Sequence, residues 1–315
     1  MTMVAAGRSI DVDAEHTSVR TPDGVRLHVT DTGDGPPILF LHEYAGDHRS
    51  WARQVADLAA DHRCVTYAAR GYLPSDVPTA PEAYSWQRAV DDAVAVLDAL
   101  DLGSAHLVGL SMGGYTALQL GLRHPDRVRS IVAASVGSGS DPATRAAYLA
   151  ETRTVAAELR SRGAGSVARR MAGGPSRIQL RARDEGAWHE MVAQFAEQSV
   201  EGLAHTIVEV QGRRPSLHDL VDDLARLPVP LLVVDGDEDE ACLPTGLLLK
   251  RTVPACGLAV LPNGGHVPNL EDPVRFADLV RGFLRSVRSG GWPVRDPRSR
   301  ATLQFDLDRA ESGAG

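Results

Sequence analysis

The chain has 315 residues, is 43% hydrophobic and carries a formal net charge of −8. This size and apolar content predict one large core with an inserted subdomain. The acidic balance argues against nucleic-acid and membrane partners, and no run approaches the roughly 18 apolar residues of a membrane span. Three cysteines without disulfide or metal-ligand spacing, and an N-terminus without an apolar signal segment, predict a cytoplasmic protein.

Predicted strands and helices alternate along the first half of the chain. A hairpin at 17–19 and 25–31 is followed by strand 38–41, helix 49–60, strand 63–68, helix 84–100, strand 105–109, helix 112–124 and strand 128–134. This alternation predicts an α/β fold with a mainly parallel sheet, right-handed crossovers and helices on both faces.

The alternation stops near residue 137. Residues 138–226 are rich in Ala, Arg and Glu, and their helical periodicity without a convincing strand predicts an inserted helical subdomain. The α/β pattern resumes over 227–289, with strand 231–235, helix 245–251, strand 257–261 and helix 273–287. Residues 290–315 predict an extended or disordered tail. The predicted divisions are therefore 1–137, 138–226, 227–289 and 290–315.

A serine at position 111 stands in the motif Gly-Leu-Ser-Met-Gly-Gly, between an apolar run and a helical stretch. In that strand-to-helix context a serine sits in a sharp, strained turn with its hydroxyl exposed above a sheet. The glycines are needed because a Cβ there would collide with the neighbouring strand or helix. The motif therefore predicts Ser111 as a nucleophile.

An acidic loop and a histidine follow downstream, in the order that this turn predicts for a catalytic triad. The apolar strand near 229–234 ends in Asp235-Gly236-Asp237-Glu238-Asp239-Glu240. His266 follows two glycines, on the loop after the strand at 257–261. Since a serine hydroxyl needs a base to attack, His266 is predicted to take its proton, and a buried aspartate to orient the imidazole.

These motifs resemble the α/β-hydrolase superfamily over residues 15–290. The resemblance also rests on His42 after strand 38–41, on residues 69–76 (Ala-Arg-Gly-Tyr-Leu-Pro-Ser-Asp) and on Glu271-Asp272-Pro273 after His266. It implies an α/β-hydrolase fold with a mostly parallel eight-stranded sheet, a helical cap at 138–226 and no cofactor. By the family pattern the acid is Asp239, three residues after Gly236, and Asp237 is the alternative.

The resemblance also implies an oxyanion hole. One donor is the Met112 N–H, directly after the nucleophile. The other, by similarity to the family's His-Gly-x loop, is the Tyr44 N–H. Glu43 stands where the family usually has glycine, so its own N–H stays open as a donor. Its side chain either faces solvent or reaches the site.

Four residues are candidates for the substrate pocket: His42, Glu43, Trp188 and Arg177. Trp188 lies on a predicted cap helix, where it either lines the pocket or packs the cap against the core. Arg177 either holds a substrate carboxylate by bidentate pairing or is solvated. The eleven histidines show no clustered spacing, so no metal site is predicted.

Three functions are compatible with these residues. The first is a serine hydrolase of a small carboxylic ester or lactone, acting through an acyl-enzyme. For this function, the sequence of the chain is similar to that of enol-lactone hydrolases. Their motif Asp-x-Arg-Gly-His-Gly is, however, Ala-Ala-Arg-Gly-Tyr-Leu at 68–73 here. The second is hydrolysis of a C–C bond, as in meta-cleavage hydrolases, or of an amide, with the same triad. The third is a ligand sensor that retains the triad. A small-molecule substrate is the expected partner, and a homodimer is left open.

Overall fold

A computed structural model describes residues 15–300, and an eight-stranded sheet runs through them. The order of strands across the sheet is β1-β2-β4-β3-β5-β6-β7-β8. Antiparallel pairing joins β1 to β2 and β2 to β4, and every later pairing in that order is parallel. The strands are β1 (Glu15–Arg20), β2 (Arg26–Thr32), β3 (Pro37–Leu41), β4 (Arg63–Tyr67), β5 (Ala105–Leu110), β6 (Val128–Ala134), β7 (Leu231–Gly236) and β8 (Cys256–Leu261). The predicted mostly parallel eight-stranded sheet is confirmed.

The central strands are buried on both faces, as apolar runs in parallel sheets predict. In β3, Leu39 and Leu41 belong to the core on one face, and Ile38 and Phe40 belong to the core on the other. This division follows because successive side chains of a strand point to opposite faces. The rigid layer between the two cores holds the loops at the carboxyl ends of its strands.

Three α-helices connect the strands of the first half: α1 (Ala52–Leu58), α2 (Trp86–Ala99) and α3 (Met112–Arg123). The predicted helix at 49–60 begins with a tighter 3-10 turn, His48–Trp51, capped by the side chain of Asp47. Ser85 caps α2 by accepting from the Arg88 N–H at 3.1 Å. Short 3-10 turns also occur at Pro81–Ala83 and Pro125–Arg127.

Residues between β6 and β7 form an insertion that is helical in the part of the chain described. Its helices are α4 (Arg145–Arg162), α5 (Ala164–Ala172), α6 (Ile178–Arg183), α7 (Glu185–Ala196), α8 (Val200–His205) and α9 (Val221–Leu224), with a π-helical turn at Thr206–Gln211. We call residues 138–226 the cap. An ion pair between Arg53 of α1 and Asp184 of the cap, 3.0 Å long, is one of its links to the core.

The last third of the chain adds α10 (Leu243–Thr252), α11 (Pro268–Glu271) and α12 (Pro273–Arg288). After α12, the Trp292 ring packs on Phe283, and its Nε1–H donates to the Ala255 carbonyl at 2.9 Å. A 3-10 turn follows at Pro297–Arg300, and the rest of the predicted tail lies outside the described residues. Among residues 15–300, no helix has the length and apolarity needed to cross a bilayer.

Candidate active site

Ser111 occupies a strained turn between β5 and α3, with φ 52° and ψ −105°. Residues other than glycine rarely adopt a positive φ, so the turn stores strain that its surroundings must hold. A Cβ on Gly113 would lie 2.0 Å from the Leu41 carbonyl oxygen, and one on Gly109 2.4 Å from the Gly113 carbonyl carbon. The two glycines therefore let helix and strand approach closely enough to form the turn that the motif predicts.

The two other predicted triad residues meet at the same edge of the sheet. Asp239 follows β7 and His266 follows β8, and the His266 Nδ1 lies 2.8 Å from Asp239 Oδ2, with both side chains buried. Asp237, the alternative acid, instead accepts a hydrogen bond from the Gly264 N–H at 3.1 Å. Because β5, β7 and β8 run parallel, their carboxyl ends bring Ser111 to the same side of the sheet as this pair.

The electrostatic surroundings keep Asp239 ionised. Burial acts to raise the pKa of its carboxyl, but the charge of His266 and the hydrogen bond to it, together with smaller effects of Cys242 and Arg177, outweigh burial. The pKa therefore lies below its ordinary value. An ionised carboxylate can hold the Nδ1–H of His266 and stabilise the imidazolium that forms when Nε2 accepts a proton.

Cys242, one of the three cysteines, lies beside this pair. Its Sγ is 3.6 Å from the His266 Nδ1, and its thiol donates to the Ser135 carbonyl at 3.1 Å. Burial raises the pKa of the thiol well above its ordinary value, so the thiol stays neutral. Asp239, Cys242 and His266 hold potential metal-ligand atoms within 4.8 Å of one another. The His266 nitrogen that faces this group is already engaged with Asp239.

Asp235, the last residue of the predicted strand 231–235, is a buried acid. It belongs to β7, is completely buried, and neither of its carboxyl oxygens has a hydrogen-bond partner within residues 15–300. Burial, together with the negative charge of Asp239, raises its pKa to about 8. Asp235 is therefore mostly protonated at neutral pH, unlike Asp239 four residues later.

Replacing Asp235 by asparagine should remove a pH-dependent loss of stability. An acid with a raised pKa binds more protons in the folded than in the unfolded chain, so the free energy of unfolding falls between about pH 4 and pH 8. Asp235→Asn cannot ionise, so between pH 5 and pH 8 we expect it to lose less stability than the unmodified protein does, by roughly 2–4 kcal/mol. Urea unfolding at pH 5 and pH 8 measures this difference. An equal loss of stability in both proteins between these pH values would contradict it.

The loop after β3 is held by His42. The Ala69 N–H donates to His42 Nε2 at 3.0 Å, so the proton of the neutral ring is on Nδ1, which lies 2.7 Å from the Glu43 carbonyl oxygen and donates to it. Burial is the main cause that lowers the pKa of His42, in keeping with a neutral ring. His42, predicted as a pocket candidate, thus supports the backbone of the loop.

This support orients the peptide that carries the predicted oxyanion donor. In a trans peptide the C=O and N–H point in opposite directions, so fixing the Glu43 carbonyl also fixes the Tyr44 N–H. Tyr72 Oη donates to the Tyr44 carbonyl at 2.9 Å, which holds the next peptide. Among residues 15–300, the N–H groups of Tyr44, Glu43 and Met112 have no hydrogen-bond partner. Tyr44 and Met112 are therefore free to donate to an oxyanion, and Glu43 stays open as the alternative.

Tyr44 of the core and Trp188 of the cap each donate a hydrogen bond to the backbone of the cap. Tyr44 Oη donates to the Leu203 carbonyl of α8 at 3.2 Å, so its hydroxyl is engaged with the cap. Trp188 Nε1–H donates to the Ala172 carbonyl at 2.8 Å, a contact inside the cap. Within the described residues no hydrogen bond joins Trp188 to the triad, and its place in a substrate pocket stays a prediction.

Glu43 forms a buried ion pair with Arg177 of the cap. Its carboxylate does not face solvent, which was one of the two expectations for this side chain. The Arg177 guanidinium, predicted as a partner for a substrate carboxylate or as solvated, instead holds the carboxylate of the protein itself. The pairing spans 134 positions of the chain, and no local motif signals a contact of that range.

Comparison with known proteins agrees with this geometry. The model of the Alpha/beta hydrolase family matches residues 38–279. The 3-oxoadipate enol-lactonase 1 of Acinetobacter baylyi is 28% identical over 256 residues, which cover 81% of this chain and 91% of that protein. The 2-hydroxymuconate semialdehyde hydrolase of Pseudomonas sp. (strain CF600) is 30% identical over 272 residues, covering 83% and 91%. A thermophilic esterase from Thermogutta terrifontis superposes with a TM-score of 0.77 at 26% identity, covering 87% and 99%.

The chain belongs to the α/β-hydrolase family and has the fold that the resemblance implied. It is a hydrolytic enzyme of that family, and enol-lactone hydrolases are among its relatives, as the motifs indicated.

Proposed function

We propose that the enzyme cleaves a small carboxylic ester or lactone through a serine acyl-enzyme. The observation that carries this proposal is the buried hydrogen bond between His266 Nδ1 and Asp239 Oδ2, at the sheet edge where Ser111 occupies its strained turn. In this proposal Ser111 is the nucleophile, His266 is the general base and then the general acid, and Asp239 orients His266.

The reaction begins when His266 Nε2 takes the Ser111 proton and Oγ attacks the substrate carbonyl. The N–H groups of Tyr44 and Met112 bind the oxyanion of the tetrahedral intermediate, each lowering the barrier by roughly 3–4 kcal/mol. His266 then protonates the leaving alkoxide, and water releases the acyl group by the same steps. In a lactone the leaving oxygen stays attached to the acyl group.

Burial of the site supports a small substrate. Ser111, Asp239 and His266 are only 5%, 2% and 6% exposed, and the cap contacts the loops of Glu43 and His266, so we expect a small substrate. An enol-lactonase and an esterase are among the similar proteins, which supports an oxygen leaving group.

Hydrolysis of a C–C bond is the second candidate. A 2-hydroxymuconate semialdehyde hydrolase is 30% identical to this chain over most of both proteins. The same triad can serve a carbon leaving group. The cap contacts the loop after β3 that carries Glu43 and Tyr44, which we call the oxyanion loop, and the loop after β8 that carries His266, and it can differ between the two chemistries.

A series of p-nitrophenyl esters of increasing acyl length tests the proposal. We expect a burst of nitrophenol followed by steady turnover, with kcat/KM falling by about tenfold or more between butyrate and decanoate because the cap limits the pocket. Labelling of the same protein with a fluorophosphonate reports whether Ser111 is reactive. A labelled protein that turns over no ester would favour C–C hydrolysis or ligand sensing.

A further inference from the structure

One turn of the cap contacts both the loop that carries His266 and the loop that carries Glu43. This turn, residues 173–177, joins α5 to α6, and we call it the cap turn. The Ser176 carbonyl accepts a hydrogen bond from the His266 N–H at 3.2 Å. The next residue, Arg177, pairs with Glu43 in the loop that carries the predicted oxyanion donor. The cap turn thus links the loop of the general base to the oxyanion loop.

The guanidinium of Arg177 joins the cap turn to the oxyanion loop. Arg177 Nη2 donates to the Glu43 carboxylate, and Nη1 lies 3.3 Å from Ser176 Oγ and 3.4 Å from the Ser176 carbonyl oxygen. The planar, rigid fork of an arginine fixes the angle between such partners, which the single ammonium of a lysine does not. Arg177 therefore holds its own turn and the oxyanion loop in one geometry.

Stability does not explain this ion pair well. The side chains of Arg177 and Glu43 are 5% and 2% exposed, so both charges have lost their hydration. The attraction in a buried pair often only balances that loss, and apolar residues of similar volume are often as stabilising. A pair buried at this place is better explained by the geometry that it imposes.

The oxyanion loop already has two backbone anchors. His42 holds the Glu43 carbonyl and Tyr72 holds the Tyr44 carbonyl, and both anchors belong to the core. The Glu43 side chain adds a third anchor, which belongs to the cap. The Tyr44 N–H belongs to the same peptide as the Glu43 carbonyl, so the Glu43 side chain and the His42 ring hold the donor from the cap and from the core. A displacement of about 1 Å from the productive geometry can cost roughly 100-fold in rate.

We propose that Arg177 is a positioning residue that acts through Glu43 to hold the oxyanion donor in place against Ser111. The inference rests on the proposed serine mechanism. It assigns a function to the glutamate that stands where the family usually has glycine, and it makes a closed cap a condition for an assembled oxyanion hole.

Four variants test this role: Arg177→Met, Glu43→Gln, the double variant Arg177→Met/Glu43→Gln, and Arg53→Gln. Arg53→Gln is the matched control, because it breaks a cap-to-core ion pair with Asp184 whose side chains are 40% and 37% exposed. The measurements are kcat and KM for a short ester, the rate constant of fluorophosphonate labelling, and Tm. Labelling forms a tetrahedral adduct in the same oxyanion hole, so it reports on the donor without an optimal substrate.

We expect Arg177→Met to lower kcat and the labelling rate by about 10–100-fold with little change in KM, because the transition state depends on the donor more than substrate binding does. Glu43→Gln keeps Arg177 and an oxygen that can accept from it, so its losses should be smaller. The double variant leaves no unpaired buried charge, so it should recover the Tm of the unmodified protein but not its kcat. Arg53→Gln should keep the kcat and labelling rate of the unmodified protein.

Two results would overturn the positioning role while leaving the serine mechanism standing. One is an equal labelling rate in the unmodified protein and Arg177→Met. The other is full recovery of kcat in the double variant, which would assign the loss to an unpaired charge. Absence of labelling in the unmodified protein would contradict the serine mechanism, and this inference with it.

Discussion

Replacing Ser111 by alanine is expected to abolish turnover and leave the fold intact. Removing the nucleophile of a triad typically costs on the order of 10⁴–10⁶ in kcat, with only the oxyanion hole and binding left to assist water. Alanine keeps the Cβ, so the turn at φ 52° and its close contacts are unchanged. The measurement is kcat for the best ester of the series, together with the burst, which should disappear.

Ser135→Ala is a matched control for this change. Ser135 is also a buried serine with a positive φ, 46°, directly after the adjacent strand β6, and its Oγ has no hydrogen-bond partner in the described chain. The same atom is therefore deleted in a similar backbone one strand away. Near-normal activity in Ser111→Ala would refute the mechanism, whereas equal losses in both variants would point to a general structural effect.

The parts of the fold that were predictable are those with a local signal. Strand 128–134 is found as Val128–Ala134, and the helix expected at 112–124 is Met112–Arg123. Both follow from apolar runs and periodicity within a few residues. The signal for the turn at Ser111 is also local, because its two glycines lie two residues before and two residues after the serine in the sequence. The helix Pro268–Glu271 was not predicted, because four residues are too few to establish a period.

The parts of the site that escaped prediction depend on contacts between distant residues. Asp235 and Asp237 are two residues apart in one acidic run, yet Asp235 is fully buried and Asp237 is exposed. The predicted strand, 231–235, already contains Asp235, but composition does not show that its carboxyl is buried while that of Asp237 is exposed. The pairing of Glu43 with Arg177 depends on how the cap lies over the core. A sequence pattern can identify both residues as candidates, but it does not show that they contact each other.

The second large effect is expected from Asp239→Asn. An asparagine amide can donate to His266 Nδ1, which favours the tautomer whose proton is on Nε2 and which therefore cannot accept the Ser111 proton. In a Ser-His-Asp triad the corresponding change costs about 10⁴ in kcat, with the geometry preserved. We expect a loss of that order here, with KM little affected, measured as kcat for the best ester between pH 6 and pH 9.

Asp237→Asn is the matched control for Asp239→Asn. Both variants remove one carboxylate from the same loop, so the formal net charge and the chemical change are the same. Asp237 accepts from the Gly264 N–H, and an amide oxygen can accept that hydrogen bond as well. The kcat of Asp237→Asn should therefore stay near that of the unmodified protein.

A large loss in Asp237→Asn with a small one in Asp239→Asn would reassign the acid, whereas equal losses would mean that charge in the loop matters more than contact with His266. The contact at 2.8 Å between Asp239 and His266 favours neither of these results but a large loss in Asp239→Asn alone.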